Sequence, residues 1–210
     1  MIEALGIPHT EVELVLVNGD TSGFERLLQE GDRVAIYPKF EACDITPLLR
    51  VRQTPLRVTR FVADAHLGGL ARLLRMAGFD TLYDNHFRDE EIAAIAADEG
   101  RIVLTRDREL LKRRGITHGC YVRALKSAAQ LREIVGRLEL AGNMQPLTRC
   151  LHCNTVLHPI ERELARDRVP AGIFDRYAAF TTCPDRRRIY WQGSHWQRMV
   201  ATLAGSGIPY

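Results

Sequence analysis

The stretch Arg60-Phe61-Val62-Ala63-Asp64 decides the fold, because it has the pattern of a buried strand that ends on a carboxylate. Phe79 to Asp84 and Ile102 to Asp107 repeat this pattern. Three more acids open the helix predicted between those two strands: Asp89, Glu90 and Glu91. The C-terminal ends of parallel strands share one sheet edge, where ligands bind, and carboxylates gathered there repel one another unless a cation lies among them. The sequence therefore predicts a site for Mg²⁺ or Mn²⁺, which prefer oxygen ligands.

The composition is that of a globular protein, with 46% hydrophobic and 26% charged residues among 210. That length suits one or two domains. The net charge of +3 does not by itself predict a nucleic-acid partner. Between Arg149 and Arg198, however, nine arginines, no lysine and five acids give a local excess of positive charge. This face is either simply solvated or in contact with a polyanion.

The cysteines indicate metal chemistry in a reducing compartment. Their number, five, is odd, and two of them form Cys150-x-x-Cys153, which argues against a framework of disulfides. The chain shows no signal peptide and no apolar run near eighteen residues. We therefore expect a cytoplasmic protein that makes no contact with membranes.

Four regions are predicted along the chain: a small unit at 1–44, a linker at 45–57, a core at 58–142 and a cysteine-containing module at 147–198. In the core, strands alternate with amphipathic helices, which indicates βαβ units, a parallel sheet and the α/β class. Gly78, Gly100 and Gly115 are predicted to end the first three helices. Ser127 and Gln130 are predicted to form a capping box for a fourth.

The first region resembles the C-terminal part of a ubiquitin-like, sulfur-carrier-like β-grasp domain. The similarity lies in Ala4 to Val12, in the turn Val17-Asn18-Gly19 and in Gly31 to Pro38. The chain starts where such a domain would have completed its first hairpin, so we expect a truncated or misassigned start at Met1. No Gly-Gly terminus follows Pro38, which argues against a sulfur-carrier or conjugation role. A truncated β-grasp segment buries its strands poorly, so we expect it to be the least stable part.

The remainder resembles the Mut-7 C-terminal RNase domain family. The matching motifs cover about residues 58–198: Phe61 to Asp64, Leu70 to Asp80, Leu104 to Arg108, Gln130-Leu131, Cys150-x-x-Cys153 and Tyr190 to His195. The resemblance implies a PIN-like core, with three layers around a parallel sheet, followed by a zinc-ribbon-like module. It also implies a metal-dependent ribonuclease, and we expect the substrate to be single-stranded RNA.

Asp64 and Asp107 are the predicted catalytic pair and the predicted Mg²⁺ or Mn²⁺ ligands, because each follows a hydrophobic strand at the sheet edge. Hydrolysis of a phosphodiester needs a metal ion that activates water and neutralises charge. Asp84 and Asp89 are the candidates that complete the site, and Asp89 is the closer match to PIN-like folds. The alternative role for Asp64 and Asp107 is N-capping, since both precede helices. The resemblance favours the site for this pair and leaves Asp84 and Asp89 open.

Four arginines are predicted to contact RNA phosphates: Arg72, Arg75, Arg106 and Arg108. Arg72 and Arg75 lie three residues apart and so share a helix face, whereas Arg106 and Arg108 flank Asp107. For Arg72 the alternative is an ion pair with a nearby carboxylate that merely steadies the site. The lone histidines His66 and His86 are not counted as ligands.

The zinc signature of the C-terminal module is incomplete. Cys150, Cys153 and Cys183 are the predicted Zn²⁺ ligands, but Arg186 stands where the family resemblance would place a fourth cysteine. A histidine is the candidate for the fourth ligand: His195, His152 or His158. The alternative is that the metal is lost and that aromatic packing holds the module together.

The sequence thus predicts a ribonuclease that uses Mg²⁺ or Mn²⁺, with Zn²⁺ as a candidate structural ion and a protein partner for the N-terminal segment. The alternative is a non-catalytic RNA-binding or adaptor protein. A protein phosphorylated on Asp64 would share the acidic edge, but nothing in the C-terminal module calls for it. Tyr190 and Trp191 are predicted either to stack on RNA bases or to pack inside the C-terminal module.

Overall fold

The computed structural model describes Ile7, residues 9–37 and residues 59–204. The chain divides into two units, Met1–His66 with His86–Val122 and Leu67–Asn85 with Arg123–Tyr210. The linker predicted at 45–57 lies outside the described residues, as do the parts of the N-terminal resemblance at 1–6, 8 and 38–44. The predicted domain boundaries stay predictions.

The helices and strands of the described residues follow one another in this order: β1 Leu14–Val17, β2 Asp20–Ser22, β3 Val34–Tyr37, β4 Arg60–Ala63, α1 Gly68–Met76, β5 Asp80–Tyr83, α2 Asp89–Glu99, β6 Ile102–Thr105, α3 Arg108–Leu111, β7 Gly119–Tyr121, α4 Ser127–Arg137, β8 His158–Ile160, α5 Arg162–Ala165, α6 Ala171–Arg176, β9 Phe180–Thr182, β10 Ile189–Tyr190 and α7 Ser194–Ala204. Among them no helix combines the length and the apolar character that a membrane crossing requires.

The N-terminal strands form an antiparallel sheet in the order β2-β1-β3. Asn18 and Gly19 connect β1 to β2 with φ angles of 57° and 94°, as a two-residue hairpin with a primed turn requires. The Asn18 side chain also accepts from the Arg33 amide, at 2.9 Å, which fixes the loop before β3. The predicted turn is present, but the strand β2 that follows it was not expected from its polar sequence.

The first unit also contains parallel strands. Ala63 of β4 lies opposite Leu104 of β6, and Thr105 lies opposite Tyr121 of β7. The apolar residues of β4 and β6 are all buried, as expected for a parallel sheet that is covered on both faces. Helix α2 packs against β4 and β6, and α3 packs against β6 and β7. The predicted α/β class, with a parallel sheet flanked by helices, is confirmed.

In the second unit, α1 packs against α4 and β5. The C-terminal module of the same unit forms an antiparallel sheet in the order β10-β9-β8. Two small apolar clusters belong to this module: Cys150, Leu157 and Cys183 in one, and Ala165, Phe174 and Phe180 in the other. Small clusters of this kind bury little apolar area, so polar contacts carry more of the module's stability.

The helix ends are partly as predicted. Gly78 follows α1 with a φ of 97°, and the amides of Gly78 and Phe79 donate to Arg75 and Leu74 in the pattern of a Schellman motif. Gly100 ends α2 in the left-handed region. Helix α3, however, ends at Leu111 rather than near Gly115.

The capping box predicted for α4 does not form. Ser127 is the first residue of that helix, and Lys126 takes the N-cap position without a side-chain bond. The Gln130 amide instead donates to the carbonyl of Ala124, at 3.0 Å. A capping box needs its serine one position earlier than the structure places it.

Gly78→Ala is expected to lower the free energy of unfolding by about 3 kcal/mol or more. A left-handed backbone costs an L-residue about 1–2 kcal/mol, and overpacking adds about 1–3 kcal/mol. The overpacking arises because a Cβ atom at this position would lie 2.1 Å from the Gln145 carbonyl oxygen. Urea denaturation followed by circular dichroism measures the change.

Gly100→Ala is the matched control. Its φ of 63° is also left-handed, but a Cβ atom there meets nothing within 4 Å, so we expect a loss of only about 1 kcal/mol. Equal losses in the two variants would show that the contact between Gly78 and Gln145 does not constrain the fold.

Candidate functional site

Asp64 follows β4 as a largely buried carboxylate, only 8% exposed. Its backbone amide continues the strand pairing by donating to the Leu104 carbonyl at 3.0 Å. One carboxylate oxygen, Oδ2, accepts a 2.7 Å hydrogen bond from the Thr105 hydroxyl. The other oxygen, Oδ1, has no hydrogen bond from the described residues. A buried carboxylate with a single donor is costly unless a further positive partner is present.

Thr105 connects Asp64 to Asp107. Its hydroxyl, which donates to Asp64, also accepts from the Asp107 amide at 2.9 Å, and the residue is fully buried. Asp107 in turn accepts from the Glu109 amide through Oδ1, at 2.8 Å, and thereby caps α3. Its second oxygen has no partner among the described residues. Each of the two carboxylates therefore has one oxygen bound within the fold and one that no described residue engages.

The alternative role of N-capping thus holds for Asp107, and it does not exclude a ligand role because the cap occupies only one oxygen. For Asp64 the structure gives a different partner, the Thr105 side chain. Thr105 was not singled out from the sequence, although it lies in the motif Leu104 to Arg108. A threonine that ends a buried strand two residues before an acid is the signal that could have identified it.

The acids at the start of α2 have partners of their own. The Arg113 guanidinium lies 3.4 Å from Asp89 and 3.0 Å from Glu90. Hydrogen bonding to the Glu90 backbone and then to Arg113 lowers the pKa of the Glu90 carboxyl. Glu91 accepts from the Arg88 amide, at 2.8 Å, and so caps the helix.

Asp84 follows β5 in the second unit as an exposed residue.

The two arginines beside Asp107 differ in their contacts. The Arg108 guanidinium stacks over the Tyr121 ring, 5.0 Å from its centroid. Arg106 is exposed, and its side chain makes no hydrogen bond or ion pair with the described residues. An exposed, uncommitted guanidinium next to a site carboxylate is available for a phosphate.

The two predicted arginines of α1 have different environments. Arg72 is exposed, and no carboxylate of the described residues pairs with it. Arg75 is only 4% exposed, and it donates to the carbonyls of Thr81, Leu151 and His152 at 2.8–3.2 Å. Arg75 therefore fastens the loop between Cys150 and Cys153 to α1 and β5, and its guanidinium is not presented to a ligand.

Asn154 adds to this attachment. Its side chain accepts from the Thr81 amide at 2.9 Å and donates to Asp80 at 2.8 Å. Arg149 forms an ion pair with the same Asp80, at 3.4 Å. Asn154 has a φ of 68°, a conformation that asparagine tolerates better than most residues. Sequence reasoning missed this residue, although its place directly after the Cys-x-x-Cys motif was a signal.

Cys150, Cys153 and Cys183 form one group, in which all sulfur atoms lie within 4.8 Å of one another. The Sγ atoms of Cys153 and Cys183 are 3.4 Å apart. The structure thus brings the three predicted zinc ligands together. Three convergent thiols, with Cys150 and Cys183 fully buried, are the donor set that Zn²⁺ prefers. Among the described residues the group includes none of the candidate histidines His195, His152 and His158.

The loop that contains Arg186 has the same backbone geometry as the loop of the Cys-x-x-Cys motif. In the first loop Cys150 donates to Thr155 and accepts from Asn154. In the second, Cys183 donates to Arg188 and accepts from Arg187, and Arg187, like Asn154, has a positive φ, of 53°. Arg186 therefore occupies the position that corresponds to Cys153, and the Arg186 amide donates to the Cys183 sulfur at 3.3 Å.

The thiols of Cys153 and Cys183 differ in pKa because their surroundings differ. Burial opposes ionisation of Cys153, but hydrogen bonds from Thr155 and the neighbouring thiols outweigh it and lower the pKa of this thiol to about 7. Burial raises the pKa of the Cys183 thiol to about 11. The Tyr190 hydroxyl lies 3.1 Å from the Cys150 sulfur, and burial followed by this contact raises its pKa. The Cys153 thiol therefore ionises more readily than the Cys183 thiol.

Arg186→Cys is expected to bind Zn²⁺ at least about tenfold more tightly than the wild type, because the second loop already has the geometry of the first and gains the fourth thiolate. Competition with a chromophoric chelator measures the affinity, and Co²⁺ absorption reports tetrahedral thiolate ligation. Arg187→Cys adds a thiol to the same loop at a position without a counterpart among the ligands. Equal affinities of the two variants would contradict the equivalence of the loops.

Comparison with known proteins gives two matches to family models. The Mut7-C RNAse domain matches residues 59–203, and the Mut7-C ubiquitin domain matches residues 1–44. No curated protein and no solved structure matches the chain significantly. Both resemblances noted in the sequence are thereby confirmed. Because the first match spans well over half of the 210 residues, the chain belongs to the Mut7-C RNAse domain family and has a Mut7-C ubiquitin segment at its N terminus.

Proposed function

We propose that this protein is a metal-dependent ribonuclease that hydrolyses phosphodiester bonds of single-stranded RNA at Asp64 and Asp107. Membership of an RNAse domain family supports a ribonuclease-like role. The observation that carries the proposal is that the Thr105 hydroxyl joins the two residues: it donates to the Asp64 carboxylate at 2.7 Å and accepts from the Asp107 backbone amide at 2.9 Å. One carboxylate oxygen of each acid has no partner among the described residues.

The residues present fit a divalent ion. Asp64 and Asp107 would hold it through their uncommitted oxygens, which are the hard ligands that Mg²⁺ and Mn²⁺ prefer. Burial of Asp64 supports this fit, because an unshielded buried carboxylate is unfavourable. A bound ion of this kind supplies a Lewis acid that activates the attacking water and neutralises charge on the phosphoryl oxygens.

Other residues of the chain orient the two acids and would bind the phosphates of the substrate. Thr105 orients the Asp64 carboxylate by donating to it and fixes the Asp107 backbone by accepting from it. Arg106 and Arg108 flank Asp107 and would hold phosphates next to the scissile bond. Arg72 offers a further exposed guanidinium. Arg75 has no place among these contacts because its guanidinium is bound within the fold.

Asp89 and Asp84 remain proposed supplementary acids. Asp89 is the first residue of α2, and its side chain is 42% exposed. Its ion pair with Arg113 is long, at 3.4 Å, so a metal ion could take the place of the arginine. Surface ion pairs of this kind contribute little stability. Asp84 directly follows β5, as Asp64 directly follows β4.

A non-catalytic RNA-binding protein is the second candidate function. The observation that favours it is the cap on α3, because Asp107 has a structural task that could keep it in place without catalysis. In that case RNA affinity would depend on the arginines rather than on the carboxylates. The two candidates therefore differ in what an Asp→Asn change does.

We also propose a protein partner for the ubiquitin-like segment, a structural Zn²⁺ and a cytoplasmic location. Phe24 and Leu27 are exposed in that segment, Leu27 by 90%, beside a cavity of about 550 Å³. Exposed apolar side chains next to a cavity are typical of docking surfaces. The free thiols of Cys120, Cys150, Cys153 and Cys183 fit a reducing compartment.

Asp64→Asn and Asp107→Asn are each expected to lower the rate of RNA cleavage by about a hundredfold or more, because each removes an anionic ligand of the metal ion. End-labelled single-stranded RNA, incubated with Mg²⁺, with Mn²⁺ or with EDTA, measures the rate. EDTA is expected to abolish cleavage by the wild type. Asp98→Asn is the matched control, because Asp98 is an exposed acid of α2 with no partner among the described residues.

The same variants separate the two candidate functions. Loss of cleavage with unchanged RNA affinity supports the nuclease site. Failure of the wild type to cleave, with RNA still bound, would favour the binding protein. Equal cleavage by the wild type and both variants would point to a contaminating nuclease and remove the support for the site.

Thr105→Val is expected to lower cleavage by about 10- to 100-fold, the usual effect of losing a residue that orients a metal ligand. Valine keeps the shape of the side chain but cannot donate to Asp64, and the unsatisfied carboxylate costs about 1–3 kcal/mol of stability. Thr105→Ser retains the hydroxyl and should restore most of the activity. A valine variant with wild-type rates at saturating metal would show that Thr105 has no positioning role.

A further inference from the structure

A cavity of about 470 Å³ lies in the second unit, beside α1, β10 and the start of α7. Tyr190, Trp191 and Trp196 are in its wall, and the two tryptophans are the only ones in the sequence. The volume falls in the range of small-molecule sites, which are mostly apolar with a few polar groups at defined positions. Neither the acidic site nor the cysteine group uses this cavity.

Contacts within the module fix the rings of the aromatic wall. The Tyr190 hydroxyl is bound to the Cys150 sulfur at 3.1 Å, and Trp196 is only 9% exposed. Gly193 allows the Trp191 ring to lie against the backbone, because a Cβ atom there would be 2.6 Å from the indole nitrogen. Tyr190 and Trp191 also pack against the two apolar clusters of the module. The rings are therefore preorganised, which lowers the entropy cost of binding.

The rim of the cavity is positive. Arg72 lines it, and its exposed guanidinium has no partner among the described residues. None of the lining residues is acidic. Ser194 is both a lining residue and the first residue of α7, so the positive end of that helix dipole also favours an anion.

Two further arginines extend this positive region. Arg188 directly precedes Ile189, which lines the cavity, and Arg186 belongs to the same loop. Arg186 and Arg188 are exposed, and no carboxylate among the described residues pairs with either of them. The loop that has Arg186 in place of a fourth cysteine thus adds positive charge next to a lining residue of the cavity.

We propose that this cavity binds one unpaired nucleotide of an RNA chain, with the base against the aromatic wall and the phosphate at Arg72. A nucleotide carries both a flat π-face and an anion, which match the wall and the rim. A metal ion would find no carboxylate, and an apolar peptide would leave the cationic rim without a partner. A base within a duplex cannot enter, because it stays stacked and paired. The inference rests on the proposed function and assigns it a subsite for single-stranded substrate.

The first test uses binding without cleavage. Asp107→Asn protein, without added Mg²⁺ or Mn²⁺, is titrated with a ten-nucleotide single-stranded RNA, and intrinsic tryptophan fluorescence is recorded. Because both tryptophans line the cavity, stacking of a base should quench the signal. Arg72→Gln in the same background should weaken binding about tenfold. Arg132→Gln, an exposed arginine of α4 outside the lining, should bind as its parent does.

Trp191→Leu tests the wall independently of the rim. Leucine retains apolar volume but not the π-face, so we expect about a tenfold loss of affinity, measured by fluorescence anisotropy of labelled RNA. Trp196 still reports occupancy in this variant. Correct folding is checked by circular dichroism, and a misfolded variant leaves the Arg72 comparison as the decisive one.

Three results would overturn the proposal: RNA binding without quenching, equal quenching by a duplex of the same length, and no RNA binding at all. Quenching by an apolar peptide but not by RNA would also overturn it in favour of a protein partner. Failure of the nuclease proposal is distinguishable, because a wild-type protein that does not cleave but is quenched keeps the subsite and loses the enzyme. A wild-type protein that cleaves RNA but is not quenched keeps the enzyme and loses the subsite.

Discussion

The hydrogen bond from Thr105 to Asp64 is the constraint on which the candidate site depends. A carboxylate that is 8% exposed must be compensated, and the parallel register of β4 and β6, with Ala63 opposite Leu104, places the threonine hydroxyl next to it. The same hydroxyl holds the Asp107 amide two residues later. The pairing of β4 with β6, the burial of Asp64 and the positions of both acids therefore depend on one another. A shift in the register of these two strands would separate Thr105 from Asp64.

Much of the fold could be predicted from the sequence, because local patterns determine it. Hydrophobic runs that end on acids indicated β4 and β6, and Gly78 marked the end of α1 because a positive φ is needed there. The turn at Asn18-Gly19 has the same kind of local cause. The strand β2 was missed, since its stability comes from pairing with β1 and not from its own polar residues.

The candidate site was predictable only in part. The acids could be placed at the strand ends, but periodicity does not show which donor satisfies a buried carboxylate, so Thr105 was missed. Arg72 and Arg75 illustrate the same limit. They are neighbours on one helix, yet one is exposed and the other is buried against three carbonyls. The difference depends on the loop between Cys150 and Cys153. Leu151 of this loop, which binds Arg75, lies 76 residues further along the chain.

The shape of the Arg186 loop has a consequence for how this family can change over time. Its turn is defined by backbone hydrogen bonds from Cys183 and by the positive φ of Arg187, not by the side chain at position 186. A sequence can therefore lose a cysteine there without passing through a misfolded ancestor, and it can regain one by a single substitution. A single substitution at position 186 therefore exchanges a metal ligand for a basic surface residue, while the backbone hydrogen bonds of the loop do not depend on it.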